Sequence, residues 1–374
     1  MDRSVSDPTR DAGDGSQRPL TRREGSPHPE PSPTPTPRPA GSVDERASLW
    51  SLSVNPGTDT EVPTASFSKA SAVANHTLGV VSVDVDPHGS RMVTTALDST
   101  IRVMDIRDPS AVVQCGVFSC NSMHLWQAVF NPSGASRPLP PSARAAPGPG
   151  PPRARAGRAD SPTPSPRFSR SAAGDSILAA GGSGCKLDVY TAPAIGEGDV
   201  ALSASLDVYG AGDACPDNEF ALSVACSPDG KRAAVGCSSG AVAVFDLASG
   251  TLVKRFAKHS KPVRCLCFSA DSRYLFSGSD DMYINKCDAV SGDFVDSFSG
   301  HTSWVLSMDA SPDGASLVSG AADNKVKLWD LATKACVQTV SEHAGHVWGA
   351  RFSRDGAYVA SGGNDGTVAV FSVA

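Results

Sequence analysis

The chain has 374 residues, 40% hydrophobic and 19% charged, with a formal net charge of -6 and a pI near 5.7. This is the composition of a globular protein of one large or two ordinary domains, and its acidity argues against general nucleic-acid binding, which requires a strongly basic face. No run approaches about eighteen apolar residues, so no membrane-spanning helix is predicted.

Read from its start, the chain carries Asp2, Asp7, Asp11 and Asp14 with no apolar run, which argues against a secretory or transit segment and makes cytoplasm and nucleus the expected address. Nine of the 29 prolines fall in residues 1–45, where alternating Ser-Pro and Thr-Pro pairs predict a disordered, extended tail. Ten more fall in 135–171, beside seven arginines and the single Asp160. That stretch reads as a disordered insertion or as translated intron sequence, with a basic docking arm as the alternative. The ten cysteines include no C-x-x-C pair, so neither a metal nor a cofactor is expected. Cys226, Cys237, Cys265, Cys267 and Cys336 lie in apolar, strand-like runs, where reduced cysteine behaves as a small hydrophobe.

The remaining chain repeats. Turns begin at Ser227, Ser269, Ser311 and Ser353, an unbroken spacing of 42, as in Ser311-Pro312-Asp313-Gly314. Weaker echoes at Asn55, Asp86 and Asn131 bring the anchors to seven. The interval from 131 to 227 is lengthened by the Pro/Arg stretch, whereas 55 to 86 spans only 31 residues, too few for a complete unit. Each unit reads as short β-branched strands separated by Gly, Asp and Asn turns, with no recurrent helical period. Such a unit cannot bury both faces alone, and radial packing of the sheets satisfies them.

Gly300-His301 and Trp329-Asp330 bracket the sixth unit, and in this the chain resembles the WD-repeat β-propeller family. The expectation is an all-β, seven-bladed WD-repeat propeller over residues 46–374, with an incomplete first blade and with 135–171 looped out. The resemblance implies buried His-Ser/Thr-Asp-Trp tetrads, structural and not catalytic. His301, Ser319, Asp323 and Trp329 form a complete set; His259, Ser277 and Asp281 have Cys287 in the Trp position, His343, Ser361 and Asp365 have Phe371, and His76, Thr94 and Asp98 have Met104. Units three and four lack the set.

Three phrases, His76 to Val85, Gly300-His301-Thr302-Ser303-Trp304-Val305-Leu306, and Val347-Trp348-Gly349, are similar to the WD-repeat subunit of the superkiller (Ski) complex. That resemblance implies a non-enzymatic adaptor. Its partners would be the tetratricopeptide scaffold subunit in exosome-linked cytoplasmic mRNA decay, or subunits of the Paf complex in transcription elongation, with no direct nucleic-acid or membrane binding. Propellers of this kind often take peptides at the mouth of the channel. Five residues before each anchor stand Trp50, Val81, Trp126, Leu222, Arg264, Leu306 and Trp348. Three of the five tryptophans share this register; Trp304, and the turn residues Leu97, Asp280, Ala322 and Asn364, join the same face. An aromatic collar with an arginine suits a binding hot spot, and channel packing is the alternative.

Two other functions are weighed. Gly236-Cys237-Ser238-Ser239-Gly240 fits G-x-S-x-G, but a nucleophile elbow needs a strand-to-helix turn and a strand follows here. A substrate receptor of cullin-RING ubiquitin ligases is often marked by Trp-Asp-x-Arg, whose nearest match, Met104-Asp105-Ile106-Arg107, lacks the Trp.

Overall fold

The computed structural model describes residues 38–41, 46–55, 64–74, 76–119, 125–132, 176–181, 185–192, 200–209, 215–216 and 219–373; among those before residue 76, only the side chains of Ala47 and Leu49 are described. The described residues form strands and turns without an α-helix. The tail before 38 and the whole of 135–171 lie outside them.

Six antiparallel sheets follow the repeat. Blade 1 is β4 (Val80–Val85), β5 (Arg91–Ala96), β6 (Thr100–Asp105) and β7 (Val113–Ser119). Blade 2 is β8 (Leu125–Phe130), β9 (Ser176–Gly181), β10 (Lys186–Thr191) and β11 (Ala201–Asp207). Blade 3 is β12 (Ala221–Cys226), β13 (Arg232–Cys237), β14 (Ala241–Asp246) and β15 (Thr251–Ala257). Blade 4 is β16 (Val263–Phe268), β17 (Tyr274–Ser279), β18 (Ile284–Asp288) and β19 (Phe294–Phe298). Blade 5 is β20 (Val305–Ala310), β21 (Ser316–Ala321), β22 (Val326–Asp330) and β23 (Cys336–Val340), and blade 6 has three strands, β24 (Val347–Phe352), β25 (Tyr358–Gly363) and β26 (Val368–Ser372). The first strands, β4, β8, β12, β16, β20 and β24, lie side by side in that order.

The propeller therefore has six blades, not the seven expected. Ahead of blade 1 the chain builds a sheet of β1 (Arg38–Gly41), β2 (Arg46–Asn55) and β3 (Thr64–Ala74), in which β2 and β3 form one long hairpin where a repeat unit would have strands of about six residues. The Asn55 anchor stands at the end of that hairpin and does not open a blade. Arg354, in the first turn of blade 6, donates from Nη2 to the carbonyl of Pro87 in the first turn of blade 1 at 2.8 Å, so the two ends of the repeat meet directly. The tail predicted for 1–45 is also corrected at its end, since 38–41 is strand.

Two physical features shape the blades. Each hydrophobic cluster straddles neighbouring sheets, as where Leu187 and Leu206 of blade 2 meet Val224, Val235 and Phe245 of blade 3. Radial stacking thus buries faces that no blade could cover alone. Ala47 and Leu49 of β2 similarly cover Met92 and Met104 of blade 1. The recurrent turn is held by its serine: Ser227, Ser269, Ser311 and Ser353 each accept, at Oγ, the backbone N–H five residues on at 2.8–2.9 Å. Gly314 follows at φ +72°, a conformation glycine adopts without steric cost.

The cysteines depart from the sequence reading. Cys237 is cross-linked to Cys185, joining blades 2 and 3, and Cys336 is exposed. Cys265 and Cys267 are buried, and burial pushes the Cys265 thiol up to about 12.

Candidate functional site

Every blade has a β-bulge at the entrance of its first strand. The ladder skips one residue between Val80 and Ser82, Leu125 and Gln127, Ala221 and Ser223, Val263 and Cys265, Val305 and Ser307, and Val347 and Gly349. The skipped residues are Val81, Trp126, Leu222, Arg264, Leu306 and Trp348. A bulge leaves one residue unpaired and re-aims its side chain, so one position in six sheets is turned out of the ladder at the same edge. Trp50 is different: it stays paired, with Arg38 and Lys69, and its side chain is outside the described residues.

The turns ahead of the third strands join this edge through the backbone. The N–H of Leu97 reaches the carbonyl of Gly79, Asp280 that of Pro262, Ala322 that of Trp304 and Asn364 that of His346, at 2.8–3.1 Å. Each turn residue is thereby fixed beside the bulge of its own blade.

The resulting rim is uneven. Trp348 is 59% exposed and Trp304 45%, with Val81, Leu97 and Asn364 also exposed. His346 lies against Trp348, ring centroids 6.3 Å apart. Arg264 and the buried Asp280 form a two-pronged pair, Nε to Oδ1 at 2.9 Å and Nη2 to Oδ2 at 2.8 Å, and the same guanidinium sits over the Trp304 ring at 5.6 Å. Two fixed planes, one cationic and one aromatic, are thus presented together, at low further entropic cost on binding. Leu306 is buried, Leu222 is partly buried, and Trp126 is partly buried against Phe220 at 6.5 Å. The rim consequently has one wet aromatic sector, over blades 4 to 6, and one packed sector, over blades 2 and 3.

Beneath the rim, four blades carry the histidine sets. In blade 5, Trp329 Nε1 donates to Ser319 Oγ at 2.8 Å, that hydroxyl meets His301 Nε2 at 2.7 Å, and His301 Nδ1 lies 2.9 Å from Asp323. Blade 4 has His259 at 2.8 Å from Ser277 and 2.9 Å from Asp281, with Asn285 Nδ2 at 3.1 Å from Nε2. In blade 6, His343 is 2.8 Å from Ser361 and 3.1 Å from Asp365. In blade 1, His76 is 2.8 Å from Thr94 and 3.2 Å from Asp98. Where Met104 replaces the tryptophan, Thr100 supplies a further hydroxyl, donating to Asp98 at 2.6 Å.

The electrostatics follow from these bonds. Burial alone would raise Asp98, but hydrogen bonds from the Thr100 side chain and from the N–H groups of Thr77 and Thr100 outweigh it and hold the carboxyl at about 2; Asp323 is brought to about 2 against burial by His301 and the Thr302 N–H. Desolvation lowers His76. The imidazoles therefore stay inside satisfied, low-dielectric relays with no open position for a substrate.

Among the described residues of blade 3 there is no histidine set, and a substitute that the repeat register does not reveal stands there. Ser239 stands 42 residues before Asp281, in the carboxylate position, and the carboxylate comes instead from Glu219 ahead of β12. Ser239 Oγ and Tyr209 OH both donate to buried Glu219. The hydroxyl stands in the acid's position and the acid stands two residues past the histidine's, which hides the pair from position-by-position matching. Gly236 to Gly240, the G-x-S-x-G match, runs through β13 and its turn into β14, so it builds no nucleophile elbow.

The comparisons with known proteins agree with this architecture. Residues 68–105, 250–286, 292–330 and 334–372 match the WD40 model, described as WD domain, G-beta repeat. The chain is a β-propeller that carries WD40 repeats. It is 32% identical to the WD repeat-containing protein VIP3 of Arabidopsis thaliana, over 64% of this chain and 57% of that protein. It is 28% identical to the WD repeat-containing protein SL1-17 of Schistosoma mansoni, over 57% and 52%. A shorter stretch of 53 residues is 42% identical to the U3 small nucleolar RNA-associated protein 15 homolog of Xenopus tropicalis, covering 14% of this chain and 10% of that protein. The chain thus spans about half the length of the first two relatives. WD40 propellers are generally non-enzymatic and bind protein partners, and the rim is the candidate surface.

Proposed function

We propose that this propeller is an interaction scaffold whose wet rim sector, Trp304, Trp348 and Arg264 with Asn364 at its margin, takes a peptide from a larger scaffold subunit. The observation that carries the proposal is the bulge repeated in all six blades, which turns Trp348 and Arg264 out of the ladder and leaves Trp348 and Trp304 exposed on one edge. A monomeric propeller gains nothing from two wet tryptophans, whereas an interface core does. The packed sector, with Trp126 against Phe220, serves as structure.

The finer reading is a Ski-type adaptor, working in the cytoplasm with the tetratricopeptide subunit of a messenger-RNA decay complex and in the nucleus with Paf-complex subunits. The phrases around His76, Gly300 and Val347 support it. Calorimetry of the scaffold subunit against folded Trp348→Ala protein should show a loss of about thirty-fold or more, as truncation of a central tryptophan commonly costs about 2 kcal/mol or more. Unchanged affinity in Trp348→Ala and Trp304→Ala would move the interface off this edge. Affinity purification with mass spectrometry separates the finer reading from the coarser one, since recovery of neither Ski nor Paf subunits would remove the adaptor role and leave the rim open to another partner.

A further inference from the structure

The join between blades 2 and 3 holds a cluster that the rim does not use. Cys185 sits in the tight turn before β10 at φ +51°, Cys237 ends β13, and Glu219 enters from the segment before β12. All three are buried, and the two sulfurs and a carboxylate oxygen lie within 4.8 Å of one another. The cysteine Cα atoms are 6.5 Å apart, held by two separate sheets, so breaking the bond between the sulfurs leaves them facing each other. Apolar groups enclose the pair: Leu187, Leu206, Val208 and Ala221 belong to the same core cluster.

Glu219 is the unusual member. Its carboxylate is buried and takes two hydroxyl donors, from Tyr209 and Ser239, but among the described residues it has no lysine, arginine or histidine within ion-pair distance. Burial, and then the bond to Glu219, pushes the Tyr209 hydroxyl up to about 12, so Tyr209 stays a neutral donor. Arg255 stacks on the Tyr209 ring, its guanidinium 4.4 Å from the centroid. Buried carboxylates are ordinarily paired with a cation or bound to a metal. Two sulfurs and one carboxylate form a donor set suited to zinc.

We propose that Cys185, Cys237 and Glu219 form a redox-gated zinc site, closed while the cysteines are cross-linked and able to bind one Zn²⁺ across the blade 2 and blade 3 join once they are reduced. The chemistry balances with a small thiol as reductant. Two thiols give up two electrons and two protons, forming their own disulfide; the Cys185–Cys237 bond breaks, and each sulfur takes one proton. Zinc then displaces both protons, binding two thiolates and the Glu219 oxygen, with water or a neighbouring hydroxyl in the fourth position. Tyr209 and Ser239 orient the carboxylate from behind, as hydrogen-bonded outer partners do for metal-bound carboxylates. The same blades are thus joined covalently under oxidising conditions and by a metal under reducing ones.

The test uses the full chain, reduced, freed of reductant without air and titrated with zinc chloride against a chromophoric chelator. One zinc per chain is expected for the reduced protein and none at this site for the cross-linked protein. Alkylation followed by peptide mapping should show Cys185 and Cys237 shielded by zinc together. Glu219→Gln should weaken zinc binding by about 10-fold or more, and Cys237→Ser should abolish it. Because Cys237→Ser could fail to fold, the mapping on the unsubstituted chain decides independently. No zinc uptake by the reduced protein, uptake undiminished in Cys237→Ser, or shielding of cysteines other than this pair would each overturn the proposal.

Discussion

Blades 3 and 5 share strand order and the Ser-Pro-Asp-Gly turn, yet their upper edges are held by different means. Blade 5 is tied within itself: Trp329, Ser319, His301 and Asp323 pass one chain of hydrogen bonds across their own sheet. Blade 3 has Val235 and Phe245 where that chain has its serine and tryptophan, both buried. Its polar contacts run to the neighbour instead, through Glu219 to Tyr209 and through Cys237 to Cys185. An internal relay makes a blade rigid; external links make a joint rigid. Among the described residues, four blades have such a relay, and the joint between blades 2 and 3 is the one that is cross-linked.

The largest way to break this comparison acts on the joint. The Cys185–Cys237 bond closes a loop of 52 residues, for which loop-closure entropy gives about 4 kcal/mol. Urea denaturation with reductant and chelator should therefore show a large fall in midpoint relative to the cross-linked protein. Zinc added to the reduced protein should restore part of it. A midpoint insensitive to reduction would mean that the joint is held by packing alone.

The next effect acts on the relay. Ser319→Ala removes the oxygen that accepts from Trp329 and meets His301, leaving two buried groups unsatisfied, with an expected loss of about 2–4 kcal/mol. Ser239→Ala removes only one of the two donors to Glu219 and should cost about 1 kcal/mol. Equal losses would erase the distinction between the two blades.

What could be read from the amino-acid order divides along the same line. The 42-residue anchors locate the turns, and counting back from them lands on the six bulged residues, because bulge and turn belong to one repeated hairpin. The intrablade histidine partners are legible for the same reason. Contacts between units are not: nothing in the order pairs Cys185 with Cys237, and the displacement of the acid from the position of Ser239 to Glu219 conceals the polar lock there. The Asn55 anchor misled, because Asn-Pro-Gly is a turn signal for any hairpin, and Asn55 ends β2 of a long one. Asp280, placed on the rim by its position in the turn, is buried under Arg264, since burial is a property of the neighbouring side chain.

A smaller effect contrasts two carboxylates of blade 1. Asp84 accepts the N–H of Phe130 in blade 2 at 2.8 Å, yet burial pushes it up to about 6, so its ionised form opposes folding near neutrality. Asp84→Asn keeps an acceptor for Phe130 and removes the charge. It should stabilise the protein by about 1 kcal/mol at pH 7 and by less at pH 4, where Asp84 is protonated anyway. Destabilisation at both values would show that the ionised carboxylate is needed for the blade 1 and blade 2 join.

The smallest effect is the acid limb of stability, and it separates the blades with histidine relays from blade 3. A carboxyl lowered by folding favours the native state above its unfolded pKa and loses that advantage as pH falls toward the folded value. For Asp98 and Asp323, both held at about 2, the loss runs from about pH 4 down to about 2. His76, lowered by burial, acts earlier, because protonation of the unfolded imidazole begins near pH 6.5 while the folded one resists it. Asp84 runs the other way, its contribution being present below about pH 4 and lost as pH rises through about 6. Denaturation midpoints of Asp84→Asn protein should therefore fall more steeply between pH 6.5 and 4 than those of the parent chain, since the opposing slope has gone. Below pH 4 the two should fall together, and an Asp98→Asn variant should fall less than either. If Asp98→Asn lost stability with acid as steeply as the parent, the carboxylate beside His76 would contribute no ionic advantage, and its role in blade 1 would be hydrogen bonding to Thr77 and Thr100 alone.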